Sequence, residues 1–130
     1  DCTQTLNRII DVFPANQQSQ IRTQLSFVLE GVFCQQLLPL AVGRGRALAA
    51  EVMLPTAGIR ANIRDDKIHQ IYSAIQTGGK EGMQTMNMSL CNLALAGKIS
   101  KDAAFEFSSR TEDLQNLFEQ AAREAAARKK

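Results

Sequence analysis

The sequence predicts a mostly α-helical chain with a single β-hairpin, an α+β fold. Three observations lead there. Apolar residues recur at three- and four-residue spacing through most of the chain, which lines them along single helix faces. Capping residues and glycines stand at the ends of those runs. One pair of short apolar runs flanks Gly43-Arg44-Gly45-Arg46, whose two glycines permit a turn. At 130 residues the chain is long enough to bury one modest core without disulfides or metal.

Leu6, Ile9, Ile10 and Phe13 give a first short helix that Pro14 cannot continue. Asn16 is placed to cap the next, and Ile21, Leu25, Val28, Leu29 and Val32 extend that helix to about Cys34. The hairpin follows over about 36–54: Gln36–Leu40 and Ala47–Leu54 read as its strands, with Pro39 suited to an edge. A helical bundle over 56–107 comes next. Thr56 is a natural N-cap for a helix carrying Ile59 and Ile63, and Ile68, Ile71, Tyr72 and Ile75 form the stripe of another, capped by Asp65 or Asp66 and stopped at Gly78-Gly79. Met83, Met86, Leu90, Leu93 and Ala94 line a further helix closed by Gly97, and Ser100 with Asp102 opens a short one through Phe105. Residues 108–130 are a helical tail. Thr111 begins it, Leu114, Leu117, Phe118, Ala121 and Ala125 give its apolar face, and the acidic start (Glu112, Asp113) and basic end (Arg128, Lys129, Lys130) suit the helix dipole. An isolated hairpin is marginal in water, so this one must pack on the helices or extend a sheet.

Fifteen basic residues against 13 acidic give a net charge of +2, too balanced for a nucleic-acid binder, so no nucleic-acid partner is expected. Cys2, Cys34 and Cys91 are odd in number, widely spaced and free of any Cys-x-x-Cys pair, which argues against a disulfide framework and fits a reducing cytoplasm. The greasiest stretch, Phe27 to Val42, is broken by Glu30, Gln35 and Gln36, so no membrane span is expected. The chain opens at Asp1 rather than at a methionine, which leaves a signal peptide neither visible nor excluded.

Recognisable catalytic patterns do not emerge. A phosphate loop needs Gly-x-x-x-x-Gly-Lys-Ser/Thr between a strand and a helix, but Ala74-Ile75-Gln76-Thr77-Gly78-Gly79-Lys80-Glu81 has alanine for the first glycine and Glu81 for the hydroxyl residue. His69 is the sole histidine and has no ligand type at i+4, so it reads as a boundary residue beside Ile68 and Ile71. No catalytic, cofactor-binding or metal-binding residue is therefore expected within this chain. Arg60 and Arg64 are more informative: at i and i+4 they share a helix face, where like charges cost a few tenths of a kcal/mol unless something negative relieves them. From physics alone the simplest answer is a solvated basic face partly met by Asp65 and Asp66.

The order of several motifs adds a resemblance. Thr5 to Pro14, the helix and strand of Gln20 to Leu38, Ala49-Ala50-Glu51-Val52-Met53, Ile59-Arg60…Ile63-Arg64-Asp65, Gln76-Thr77-Gly78 and Gly82-Met83-Gln84-Thr85-Met86 together resemble the twitching-motility ATPases that retract type IV pili, the PilT family. The likeness runs to about Phe107. The fold it implies is the C-terminal helical part of a RecA-like secretion-superfamily ATPase domain over 1–107, with 108–130 as a tail. The segment from Thr56 to Asp65 is similar to the family's Ala-Ile-Arg-Asn-Leu-Ile-Arg-Glu motif, associated with retraction rather than with nucleotide binding. Gly58, Ala61, Asn62 and Asp65 replace Ala, Asn, Leu and Glu, while Ile59, Arg60, Ile63 and Arg64 are retained.

What the resemblance implies is part of a cytoplasmic hexameric motor at the inner membrane, using ATP and magnesium bound elsewhere in the full-length protein. Its partners would be neighbouring subunits of a homohexamer and the inner-membrane pilus platform, with Arg60 and Arg64 meeting an acidic surface on one of them. The isolated chain is expected to turn over no ATP. The competing reading is a stand-alone helical adaptor without nucleotide chemistry.

Overall fold

The first helix, α1 (Cys2–Asp11), begins where Asp1 accepts a hydrogen bond from the Gln4 N–H, and its stripe of Cys2, Leu6 and Ile10 is buried. This is a computed structural model, and it describes residues 1–129. Pro14 then turns the chain into α2 (Ala15–Val28), so Asn16 lies inside the helix rather than at its cap. Proline fixes the backbone φ that a helix start needs and lacks the N–H a cap would have to satisfy.

α2 is shorter than its apolar spacing predicts. It ends at Val28, Leu29 is already extended, and Val32 and Cys34 belong to β1 (Val32–Pro39). Val32 sits at a spacing that fits both the helical stripe and the inward face of a strand, so periodicity alone does not separate the two. Gly31 marks the break: a Cβ there would meet Phe33 at 3.2 Å, a contact few side chains tolerate. β1 pairs with β2 (Arg46–Met53) as a two-stranded antiparallel hairpin, with Gly43 and Gly45 taking positive φ at its tip. Val52 also exchanges two backbone hydrogen bonds with Gln84, of 2.9 and 3.2 Å.

The predicted N-cap Thr56 opens α3 (Ala57–Arg64) by accepting from the Ile59 N–H. Neither aspartate caps the following helix. Asp66 instead ends α3: it takes the left-handed conformation (φ 59°), and Lys67 N–H reaches back to the Asn62 carbonyl at 2.8 Å. Aspartate tolerates this conformation better than most side chains. A single 3-10 turn, Ile68–Gln70, leads into α4 (Ile71–Thr77), which stops at Gly78 as expected.

Met83 is not part of the next helix. Gly79–Glu81 make another 3-10 turn, Gly82 is left-handed, and α5 (Met86–Leu95) starts three residues after Met83. Gly97 closes α5 with φ 75° while Lys98 N–H bonds to the Leu93 carbonyl, and Ser100 caps α6 (Lys101–Phe107) by accepting from Ala103 N–H. α7 (Thr111–Arg128) begins at the predicted residue with Glu112 and Asp113 in its first turn; Lys130, expected at its basic end, lies outside the described residues.

These elements make two compact units, the first joining Asp1–Cys34 to Glu51–Thr85 and the second joining Gln35–Ala50 to the residues from Met86 onward. In the first, α1 contributes Leu6 and Ile10, α3 Ile59 and Ile63, and the α4 region Ile68, Ile71 and Ile75 to one core that also takes Met53 and Met83. In the second, Leu38, Ala47 and Ala49 of the hairpin pack with Leu90, Ile99, Ala104, Leu114 and Phe118. Buried Asn87 fixes the link between α6 and α7, donating to the Arg110 carbonyl at 2.9 Å and accepting from Ser108 at 2.6 Å. Phe105 stacks on Phe118, and the Lys101 ammonium lies 4.9 Å from the Phe118 ring centre, a cation–π contact. Among the described residues no helix is long and apolar enough to cross a membrane.

Candidate functional site

The segment that sequence singles out, Ile59 to Asp65, forms the last six residues of α3 and its C-cap. A residue repeat of four places Ile59 and Ile63 on one side of the helix, and both are fully buried in the first unit's core. They fix how α3 is rotated. Arg60 is thereby directed at α2, with which α3 packs.

The Arg60 guanidinium answers the end of α2. Its Nη1 donates to the Ser26 carbonyl at 2.8 Å and the Leu29 carbonyl at 3.0 Å, with Phe27 O at 3.4 Å. The last carbonyls of a helix have no intrahelical donor and carry the negative end of the dipole, so a half-buried guanidinium satisfies both needs at once. This is the negative partner the like-charged pair calls for, and it lies on a neighbouring helix of the same unit. Nothing local in sequence reveals it, because the accepting residues stand 31 to 34 positions upstream. Arg60→Met should cost about 1.5 kcal/mol of stability by leaving those carbonyls short of a donor, and Arg60→Lys should recover only part of it. Urea unfolding of the two variants checks the order.

Arg64 and Asp65 face outward. Their side chains are 45% and 52% exposed, with Arg64 Nε 3.4 Å from Asp65 Oδ1. An exposed pair of this kind contributes little to stability, so both groups remain available to a partner. Arg22 of α2 approaches Asp66 at 3.9 Å, a second link between α2 and the end of α3. The site therefore has an inward half, Ile59, Arg60 and Ile63, and an outward half, Arg64 and Asp65.

A second buried polar feature was not anticipated. Glu51 is 2% exposed and its Oε2 accepts the Cys2 N–H at 2.7 Å, placing a carboxylate at the positive end of α1. Its signal lay in the period of β2, where Ala47, Ala49, Glu51 and Met53 are the buried alternate positions. Burial, the Glu51 carboxylate and Cys34 together push the Cys2 thiol pKa well up.

The Gly78-Gly79-Lys80 sequence does not fit a phosphate. The N–H groups of Glu81, Gly82 and Met83 are spent on the carbonyls of Gly78, Gly79 and Gly78, at 3.0–3.1 Å, instead of pointing into a loop. Gly78 is required for packing: a Cβ there would lie 2.3 Å from Met83 Cε and 2.9 Å from the Ala74 carbonyl oxygen. His69 is exposed on the turn before α4. Among the described residues no three His, Cys, Asp or Glu side chains gather to hold a metal ion.

Comparison with known proteins decides the ancestry. The chain is 47% identical over 102 residues to the type IV pilus retraction ATPase PilT of Pseudomonas aeruginosa, covering 78% of this chain and 29% of that protein. The chain belongs to the PilT family. The twitching motility protein of Neisseria gonorrhoeae, 40% identical over 110 residues, covers 85% of this PilT-family chain, and the chain covers 29% of it. A crystal structure of the pilus retraction motor PilT with bound ADP superposes with a TM-score of 0.78 at 42% identity, over 88% of this chain and 31% of that one. This PilT-family chain thus spans about three tenths of the length of the relatives it matches. No family model matches it. The mostly helical fold with one hairpin agrees with the expected C-terminal part of an ATPase domain.

Proposed function

We propose that the chain is the C-terminal part of a hexameric, ATP-driven motor that retracts type IV pili, supplying subunit packing and force transmission rather than nucleotide chemistry. The observation that carries this reading is the family relationship, 47% identity to a pilus retraction ATPase across 78% of the chain. Residues 1–107 are the part shared with the motors, and 108–130 add a helical tail. In this reading ATP and magnesium are held elsewhere in the full-length protein, a reading supported by the ADP bound in the solved PilT motor, of which this chain covers 31%. The motor works in the cytoplasm, peripherally at the inner membrane, with neighbouring subunits of a homohexamer and the pilus platform as partners.

Within that motor α3 is the transmission element. Ile59 and Ile63 anchor it in the core, Arg60 ties it to the end of α2, and Arg64 with Asp65 engages a charged surface on a partner. Buried anchors support this role because a helix that transmits force must be rigidly held on one side. The test is a graft: this chain replaces the matching segment of Pseudomonas aeruginosa PilT in a strain lacking its own copy. Twitching is expected to return. A grafted motor that folds and hydrolyses ATP but leaves the cells immobile contradicts the assignment.

A further inference from the structure

Two of the three thiols that sequence spacing sets far apart are brought together by the fold. Cys2, in the first turn of α1, and Cys34, on β1, have their sulfurs 3.8 Å apart within the first unit. Cys2 is fully buried and its S–H faces the Val32 carbonyl at 3.6 Å, whereas Cys34 is half-buried and 3.7 Å from the Thr5 hydroxyl. Glu51 holds the Cys2 backbone N–H at 2.7 Å, which keeps the start of α1 beside the strand. Cys91 lies in the other unit, buried with Leu90 and Ile99.

We propose that Cys2 and Cys34 form a reversible dithiol–disulfide pair, oxidised by a low-molecular-weight disulfide, that staples the start of α1 to β1. A disulfide requires sulfurs at about 2.05 Å, so the two must close by less than 2 Å from contact they already make. Cys34 is the entry point because it alone of the pair reaches solvent. Its thiolate attacks the small disulfide, forming a mixed disulfide and releasing one small thiolate. The Cys2 sulfur then attacks the Cys34 sulfur, its proton passes to solvent or to the Glu51 carboxylate, and the second small thiol leaves. Two protein thiols become one disulfide while one small disulfide becomes two small thiols. Burial and the adjacent carboxylate keep the Cys2 thiol protonated, so the second step is the slow one.

The bridge would close a loop of roughly 30 residues that holds all of α2, and such closures raise stability mainly by restricting the unfolded chain. The experiment incubates the folded chain with oxidised glutathione and reads intact mass, linked peptides and melting temperature. The expected result is loss of two hydrogens, a Cys2–Cys34 peptide, and a Tm higher by roughly 5–10 °C that dithiothreitol reverses. Cys34→Ser should abolish the mass loss, and Cys91→Ser should leave it unchanged. Three free thiols after incubation, a stable glutathione adduct on Cys34 without an internal bond, or a link to Cys91 would each overturn the proposal.

Discussion

Ile63→Ala should destabilise the first unit by about 3 kcal/mol, the loss typical of removing three buried carbons from a site that cannot collapse. Ile63 is fully buried in a core to which other elements also contribute, Leu6 and Ile10 from α1 and Ile71 and Ile75 from α4. Little backbone freedom exists to fill the gap, because α3 is fixed at its start by Thr56 and at its end by the left-handed Asp66. Ile63→Val removes a single methylene and should cost about 1 kcal/mol. Equilibrium urea unfolding, followed by circular dichroism, separates the two. If the alanine variant loses less than the valine one, the isoleucine is not the anchor proposed for α3.

Gly78→Ala should cost about 3 kcal/mol, for the opposite reason: it adds an atom where none fits. The new Cβ would stand 2.3 Å from Met83 Cε and 2.9 Å from the Ala74 carbonyl oxygen. The methionine end can swing aside, but the carbonyl belongs to α4 and cannot. Conformational strain plays no part, since Gly78 has φ −91°, open to any residue. A double variant, Gly78→Ala with Met83→Ala, should therefore remain well below the wild type in stability. Full rescue by the second change would place the clash entirely on the methionine.

Local chemistry made much of this fold legible. Thr56 and Ser100 cap the helices they were expected to cap, Gly97 closes α5, and Thr111 starts α7, because each signal acts within a few residues of itself. The end of α2 was less legible, since Val32 fits both a helical stripe and a strand, and only Gly31 marked the change. Met83 follows helical spacing yet is buried against Gly78 before α5 begins. Asp66 looked like the start of a helix and proved to be the end of one, as the same short acidic side chain serves both positions.

The candidate site divides in the same way. Burial of Ile59 and Ile63 follows from period alone, and the excess charge of Arg60 and Arg64 was visible as a problem wanting an answer. The answer for Arg60 is long-range: carbonyls at Ser26 and Leu29 reach it only once α2 and α3 are packed. The meeting of Cys2, Cys34 and Glu51 is equally a product of the fold, assembled from a helix start and two strands. Sequence pattern reports which face a residue occupies; it does not report what stands opposite.

Arg64 is the direct probe of the transmission role, because its exposed side chain contributes little to folding. The measurement is paired ATP hydrolysis and twitching in the grafted Pseudomonas aeruginosa motor carrying Arg64→Ala. The expected result is an ATPase rate within about twofold of the unsubstituted graft, unchanged thermal stability, and loss of most surface movement, a difference of at least tenfold, or about 1.4 kcal/mol of coupling. Twitching that stays at the unsubstituted level, with ATPase and stability equally unchanged, would contradict the assignment of Arg64 to force transmission.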